Sequence, residues 1–169
     1  MKHCLAILLL FISLTSFAQT KQKPVQINAG GFLGPVVTGF HENKSGGGAY
    51  LRLLFKVKPK HLIGGELEYI SIWGDKRVFQ GGSAETSGIN FNIGYKYEYN
   101  NTIYLYSSAG VALMRIPGQD IVGPFPNFQF GPGVNFGGKK KIFSTDFFVN
   151  YYPTAGLMIN ARIGINLIR

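Results

Sequence analysis

Glu66 and Glu68 stand one residue apart in GGELEYI, and two carboxylates on one face could divide general acid and general base roles between them. That division needs one carboxyl held protonated, and nearby cations oppose it. Arg52, Lys56 and Arg162 fall on the same predicted face, so a salt-bridge network is the better reading of the pair. His41, Glu42 and Ser45 caricature a serine hydrolase, yet all three lie in a glycine-rich stretch, 40–48, without the rigid positioning catalysis needs. His61 follows Lys58-Pro59-Lys60 in a tight turn. The run GVNFGGKK at 133–140 comes close to a phosphate-binding loop, but it lacks the closing Ser or Thr, and no helix follows to present its N-terminus. No zinc, haem or nucleotide motif is present, so no catalytic residue, metal or cofactor is expected.

Something must position these residues, and the first candidate is not a helix. Residues 4–12 form an apolar run after Lys2 and His3 and lead into Ser16-Phe17-Ala18. A short basic region, an apolar core and a small-x-small end predict a secretory signal over 1–18, leaving 19–169 as a single domain. The run is too short to span a bilayer, which takes about 20 apolar residues. Cys4 is the only cysteine and leaves with the signal, so the mature chain has neither disulfides nor a thiolate metal site.

The stretch SGINFNIGYKYEY, 87–99, organises the rest. Ile89, Phe91, Ile93, Tyr95 and Tyr97 alternate with Gly88, Asn90, Asn92, Gly94, Lys96 and Glu98. A sustained period of two puts the two sets on opposite faces of a β-strand. The same alternation predicts strands over 25–37, 49–57, 62–73, 125–137, 143–151 and 157–167; 103–114 is apolar or small on both parities and stays ambiguous. Pro132 cannot donate to a ladder, which predicts a bulge or local break. The intervening segments alternate between long (40–48, 74–84, 116–124) and short (58–61, the hairpin signal Asn100-Asn101, 137–141), with a short last turn at 153–155. Eight strands of roughly ten residues suit a tilted crossing of a bilayer.

Alternation alone does not say which face is inside. A wetted face would be rich in mixed charges and threonine. Here the polar parity is mostly Gly and Asn, small enough for a narrow lumen. Its charges balance, with Arg52, Lys56, Lys96 and Arg162 against Glu66, Glu68, Glu98 and Asp146, as buried charges must. The outer loops and their margins balance too, with Lys44, Lys76, Arg77 and Arg115 against Glu42, Asp75, Glu85 and Asp120. The formal charge of +9, or +8 once Lys2 leaves with the signal, therefore gathers at the short-turn end, in Lys58, Lys60, Lys139, Lys140 and Lys141 among others. A cationic rim suits anionic lipid headgroups, whereas a nucleic-acid surface would interleave lysines with stacking aromatics. Tyr95, Tyr97 and Tyr99 mark one strand end, and Tyr69, Trp73, Phe125, Phe128 and Tyr151 the other, as two interfacial girdles would.

With its glycine-punctuated strands (Ser108-Ala109-Gly110-Val111, Phe130-Gly131-Pro132-Gly133-Val134) and its closing Ala161-Arg162-Ile163-Gly164-Ile165-Asn166-Leu167, the chain resembles the small eight-stranded outer-membrane barrels of Gram-negative bacteria, the OmpX-like and OmpA-transmembrane-domain type. It departs from them at Leu167-Ile168-Arg169, where such barrels commonly end in an aromatic residue. The resemblance implies an all-β, eight-stranded antiparallel up-and-down transmembrane β-barrel in the cell outer membrane, monomeric, with a plugged lumen. Its partners would be outer-membrane lipids and a protein or surface met through the outer loops, with no nucleic acid. Adhesion, envelope integrity or partner docking would follow. Three alternatives remain: a secreted soluble barrel holding a lipophilic ligand, an outer-membrane lipid-modifying enzyme using His41 and Ser45, and a subunit of a larger envelope machine.

Overall fold

The computed structural model describes residues 25–38, 43–74, 85–115, 121–152 and 156–168. Eight strands follow one another: β1 (Val25–Thr38), β2 (Asn43–Lys58), β3 (His61–Gly74), β4 (Glu85–Glu98), β5 (Ile103–Arg115), β6 (Ile121–Phe136), β7 (Phe143–Tyr152) and β8 (Gly156–Ile168). Each pairs antiparallel with its neighbours in sequence, and β8 pairs with β1 to close the barrel. Closure leaves no sheet edge along the paired lengths, so the backbone groups there bond within the wall.

The register fixes the geometry. Val25 pairs with Phe55, then the path runs through Ile63, Tyr95, Ser107, Phe130, Val149 and Ile159 and returns to β1 near Pro35. One circuit thus climbs roughly ten residues, which for eight strands tilts them by about 40°. A barrel this size has an interior only wide enough for its own side chains.

Alternation decides what fills it, and the result is inside-out. Arg162 is 0% exposed and Ile93 is 74% exposed. Asn90, Asn92, Asn127, Asn135, Asn150 and Asn160 are buried, whereas Leu67, Phe91, Phe130, Phe147 and Ile163 face outward. A soluble barrel around a lipophilic ligand requires the reverse. The apolar outer band runs, for example, from Ala49 to Val57 on β2 and from Phe143 to Tyr151 on β7. At roughly 3.3 Å per residue and the tilt above, such runs match an apolar band about 25 Å tall.

Glycines on the inner parity have a steric cause. A Cβ on Gly94 would lie 2.1 Å from the Tyr106 hydroxyl, and one on Gly133 would lie 2.3 Å from both Asp146 Oδ1 and Tyr104 Cζ. These positions are empty of side chain because tyrosine rings from β5 occupy the space. The ambiguous strand is thereby resolved: Tyr104, Tyr106, Ser108, Ala112 and Met114 point inward.

Several expected boundaries move. Residues 43–48 of the expected loop 40–48 are strand: Gly46, Gly47 and Gly48 pair with Ile72, Ser71 and Ile70. Glycine there makes room for packing, not for a turn: a Cβ on Gly48 would lie 1.9 Å from the Tyr69 carbonyl oxygen on β3 and 2.8 Å from the Phe32 ring on β1. Likewise 121–124 of the expected loop 116–124 belongs to β6, with a register shift opposite Leu113 taken up at Gly123, whose φ of +135° suits glycine. The β4–β5 turn is longer than a two-residue hairpin: Glu98 pairs with Tyr104, and Asn100 Oδ1 accepts from the backbone N–H of Thr102 (2.8 Å) and Ile103 (2.7 Å). At Pro132 the ladder to β7 breaks between Phe130 and Gly133 without a register shift. Phe125 does not join the outer girdle: it packs inward against a cluster containing Phe32, Tyr50, Ile70 and Met158. The stretches 39–42, 75–84, 116–120 and 153–155, and with them His41 and Glu42, lie outside the described residues, as do 1–24.

Candidate functional site

The lumen is where the chain concentrates unusual chemistry. Arg52 on β2 stands opposite Glu66 on β3 in the ladder, and its Nε donates to Glu66 Oε2 at 2.7 Å. Its Nη1 reaches Asp146 Oδ2 on β7 at 3.3 Å. Arg162, on β8, crosses the lumen: Nη1 lies 3.1 Å from both Glu66 oxygens, and Nη2 lies 3.0 Å from Glu68 Oε2 and 2.9 Å from Gln129 Oε1. Gln129 in turn donates to Glu68 at 2.5 Å, and the Tyr104 hydroxyl donates to Asp146 Oδ1. Asp146 sits opposite Arg162 in the β7–β8 ladder, yet its oxygens are held by Arg52 and Tyr104. Two guanidinium groups thus tie β2, β3, β6, β7 and β8 together across the barrel axis.

Aromatic rings complete the cage. The Arg52 guanidinium lies 3.7 Å from the Tyr106 ring centroid, and that of Arg162 lies 4.7 Å from Phe148 and 5.0 Å from Tyr50. A planar, weakly hydrated cation is the one that tolerates this burial, by stacking on π faces while its edge donates to carboxylates.

A second group lies toward the turn end. Lys96 Nζ donates to Gln26 Oε1 at 2.9 Å and sits 3.3 Å from Glu98, and Gln26 Nε2 donates to Glu98 at 2.9 Å. Between the two groups is a cavity of about 10 Å³ lined by Asn28, Arg52, Lys96, Tyr104 and Ser144 among others, room for about one water. Of the eight charges predicted to pair in the lumen, seven are buried there. Lys56 is the exception. It shares their parity but is only half-buried at the rim, and the ion pairs among the described residues do not include it. At the last inward position before a turn, the flexible ammonium can reach water, and desolvating it would have no compensating partner.

Gln26 and Gln129 lie on the inward parity that the sequence indicates, though not as expected members of the ionic network, and the sequence reading missed Tyr50, Tyr104, Tyr106 and Phe148 as members of this interior. Tyr50 and Phe148 carry the parity signal that would have found them, because each alternates with outward apolar residues. Ser45, half of the hydrolase-like pair, lies on β2 opposite Trp73, in a strand and not in a loop. Both oxygens of Glu66 are bound by arginine and its side chain is fully buried, so it presents no oxygen at a surface a substrate could reach. Among the described residues no group of three His, Cys, Asp or Glu side chains could hold a metal ion.

No family model matches the sequence, and no curated protein sequence matches it. Solved structures do. The attachment invasion locus protein Ail of Yersinia pestis superposes with a TM-score of 0.58 at 15% identity, over 85% of this chain and 97% of that one. Ail in a phospholipid bilayer nanodisc gives a TM-score of 0.56 at 13% identity, over 86% and 100%. A de novo designed transmembrane β-barrel gives 0.54 at 12% identity, over 86% and 98%. The chain has the transmembrane β-barrel fold. At these identities the likeness is one of fold alone, and it accounts for an interior that is polar and an exterior that is greasy: lipid is the solvent the outer wall is built for.

Proposed function

We propose that the protein is a monomeric outer-membrane barrel of a Gram-negative envelope, with a lumen closed to solutes, whose loop end serves adhesion, envelope integrity or partner docking and not catalysis. The observation that carries this reading is the reversed burial: charged groups such as Glu68, Asp146 and Arg162 fully buried around the axis, and an outer wall of exposed aliphatic and aromatic side chains. A signal over 1–18 supplies the export such a residence needs. Closure is supported by the ion-paired cross-ties and by the cavity of about 10 Å³ beside them, too small for a passing solute. The named role of Ail in attachment and invasion supports docking at the loop end.

Orientation follows from the turns. The described turns of one end are tight and carry Lys58, Lys60, Lys139, Lys140 and Lys141; this is the periplasmic end in the proposed topology. Membrane fractionation, a gel comparing boiled with unboiled samples, and single-channel recording together test the proposal. The expected result is a protein in the outer-membrane fraction, with a heat-dependent shift in migration and no steady conductance. A mature chain that stays soluble without detergent refutes membrane residence, and a stable ohmic pore refutes the closed lumen.

A further inference from the structure

The lipid-facing wall is not uniformly filled. An open groove of about 800 Å³ crosses it, following the climbing register from β3 to β7. Its floor is Ser107 and Ala109 on β5, the two smallest outward side chains of that strand. Ile93 walls it on one side, Phe128 and Phe130 on the other, and each of these stands more than half exposed. In a bilayer, bare walls and a low floor forfeit dispersion contacts unless a flexible chain lies between them.

What separates this groove from ordinary lipid-facing surface is its lower end. Tyr95 lines it there, and the Tyr95 hydroxyl lies 2.7 Å from His61 Nδ1. His61 opens β3 directly after the exposed turn Lys58-Pro59-Lys60, where Lys60 Nζ is 6.0 Å from the Tyr99 ring centroid. Of the described carboxylates, only Glu98 lies at this end, and its side chain turns inward to Lys96 and Gln26; Glu66, Glu68 and Asp146 are buried deeper in the lumen, and Glu85 begins β4 at the other end. A hydrocarbon channel ending at two lysines and a hydrogen-bonded His–Tyr pair is complementary to one chemistry: an acyl chain joined to an anionic phosphate headgroup.

We propose that this groove is a binding site for an anionic phospholipid of the leaflet at the turn end, with one acyl chain over Ser107 and Ala109 and the headgroup at Lys58, Lys60 and His61. The site rests on the membrane residence proposed above. Ala109 and Ser107 belong to neither the lumen network nor the turns, so filling the groove leaves the rest of the barrel alone.

The test is native mass spectrometry of the full barrel released from nanodiscs of equimolar phosphatidylglycerol and phosphatidylcholine, with folding checked by gel shift. The wild type should retain one phospholipid, enriched in phosphatidylglycerol by about five-fold or more, as roughly 1 kcal/mol per lysine near a headgroup implies. Ala109→Phe should lose the retained lipid of either headgroup, while the double variant K58Q/K60Q should retain lipid without headgroup preference. Ser107→Leu is the second groove-filling variant should Ala109→Phe not fold. Retention in bulk proportion by the wild type, unchanged retention in both filled variants, or a lipid-free dimer would overturn the site alone. A chain that never enters the nanodisc overturns membrane residence as well.

Discussion

Replacing Arg162 with Met is the most direct probe of the interior. Arg162 is fully buried, donates to Glu66 and Glu68 at 3.0–3.1 Å and to Gln129 at 2.9 Å, and stacks on Phe148 and Tyr50. Methionine keeps most of the apolar packing and removes the charge. Glu66 retains Arg52 at 2.7 Å, but Glu68 loses its guanidinium partner in a site with no access to water. Breaking one half of a buried ion pair costs about 3–5 kcal/mol. With a urea dependence of about 1–3 kcal/mol per molar, the unfolding midpoint should fall by roughly 2 M. Glu68→Gln in the same chain removes the stranded charge and should recover about half of the loss, so the two substitutions together should cost less than their sum. Trp73 is the only tryptophan and lies on the outer wall, so its fluorescence reports unfolding in lipid vesicles without a label. An Arg162→Met cost below about 1 kcal/mol, or strictly additive single and double variants, would refute the claim that Arg162 and Glu68 act as a pair.

Other substitutions probe other links. Leu67→Arg, in the middle of β3 on the outer face, should cost about 2–4 kcal/mol in lipid vesicles, where a soluble barrel would tolerate it; vesicle unfolding curves decide between them. Lys56→Gln should change stability by less than about 0.5 kcal/mol, in contrast to buried Lys96→Gln, because Lys56 sits at the rim outside the ion pairs. Gly94→Ala should slow or block refolding by pushing on the Tyr106 ring, and Tyr106→Phe should partly rescue it by removing the nearest atom, measured as the fraction of heat-modifiable protein.

Much of the architecture was legible because strand parity is a local property. The alternation at 87–99 places Lys96 and Glu98 on one face and Tyr95 and Tyr97 on the other, whatever the strand pairs with. The choice of Gly, Asn and balanced charges for one parity identified the inner face, because a narrow lumen needs small residues beside its large ones and pairs every charge it buries. The turns were less legible. Gly46-Gly47-Gly48 looks like loop from composition, but glycine also serves where paired strands press on the backbone, as the Phe32 ring of β1 and the Tyr69 carbonyl of β3 do at Gly48, and that approach exists only once the strands have paired.

By itself, then, the sequence determined the number of strands, the two faces of every strand but β5 and which face would meet lipid. Only the tertiary structure decided the register. A two-residue turn at Asn100-Asn101 would have pointed Tyr104 and Tyr106 into lipid, whereas pairing of Glu98 with Tyr104 turns both rings inward beneath Arg52 and Asp146. It also decided the ionic partners, because Arg162 and Glu66 stand 96 positions apart and meet only once the last strand has closed on the first. Periodicity is written residue by residue, while register and cross-lumen contact are properties of a closed ring whose circumference, tilt and side-chain volumes must be satisfied together.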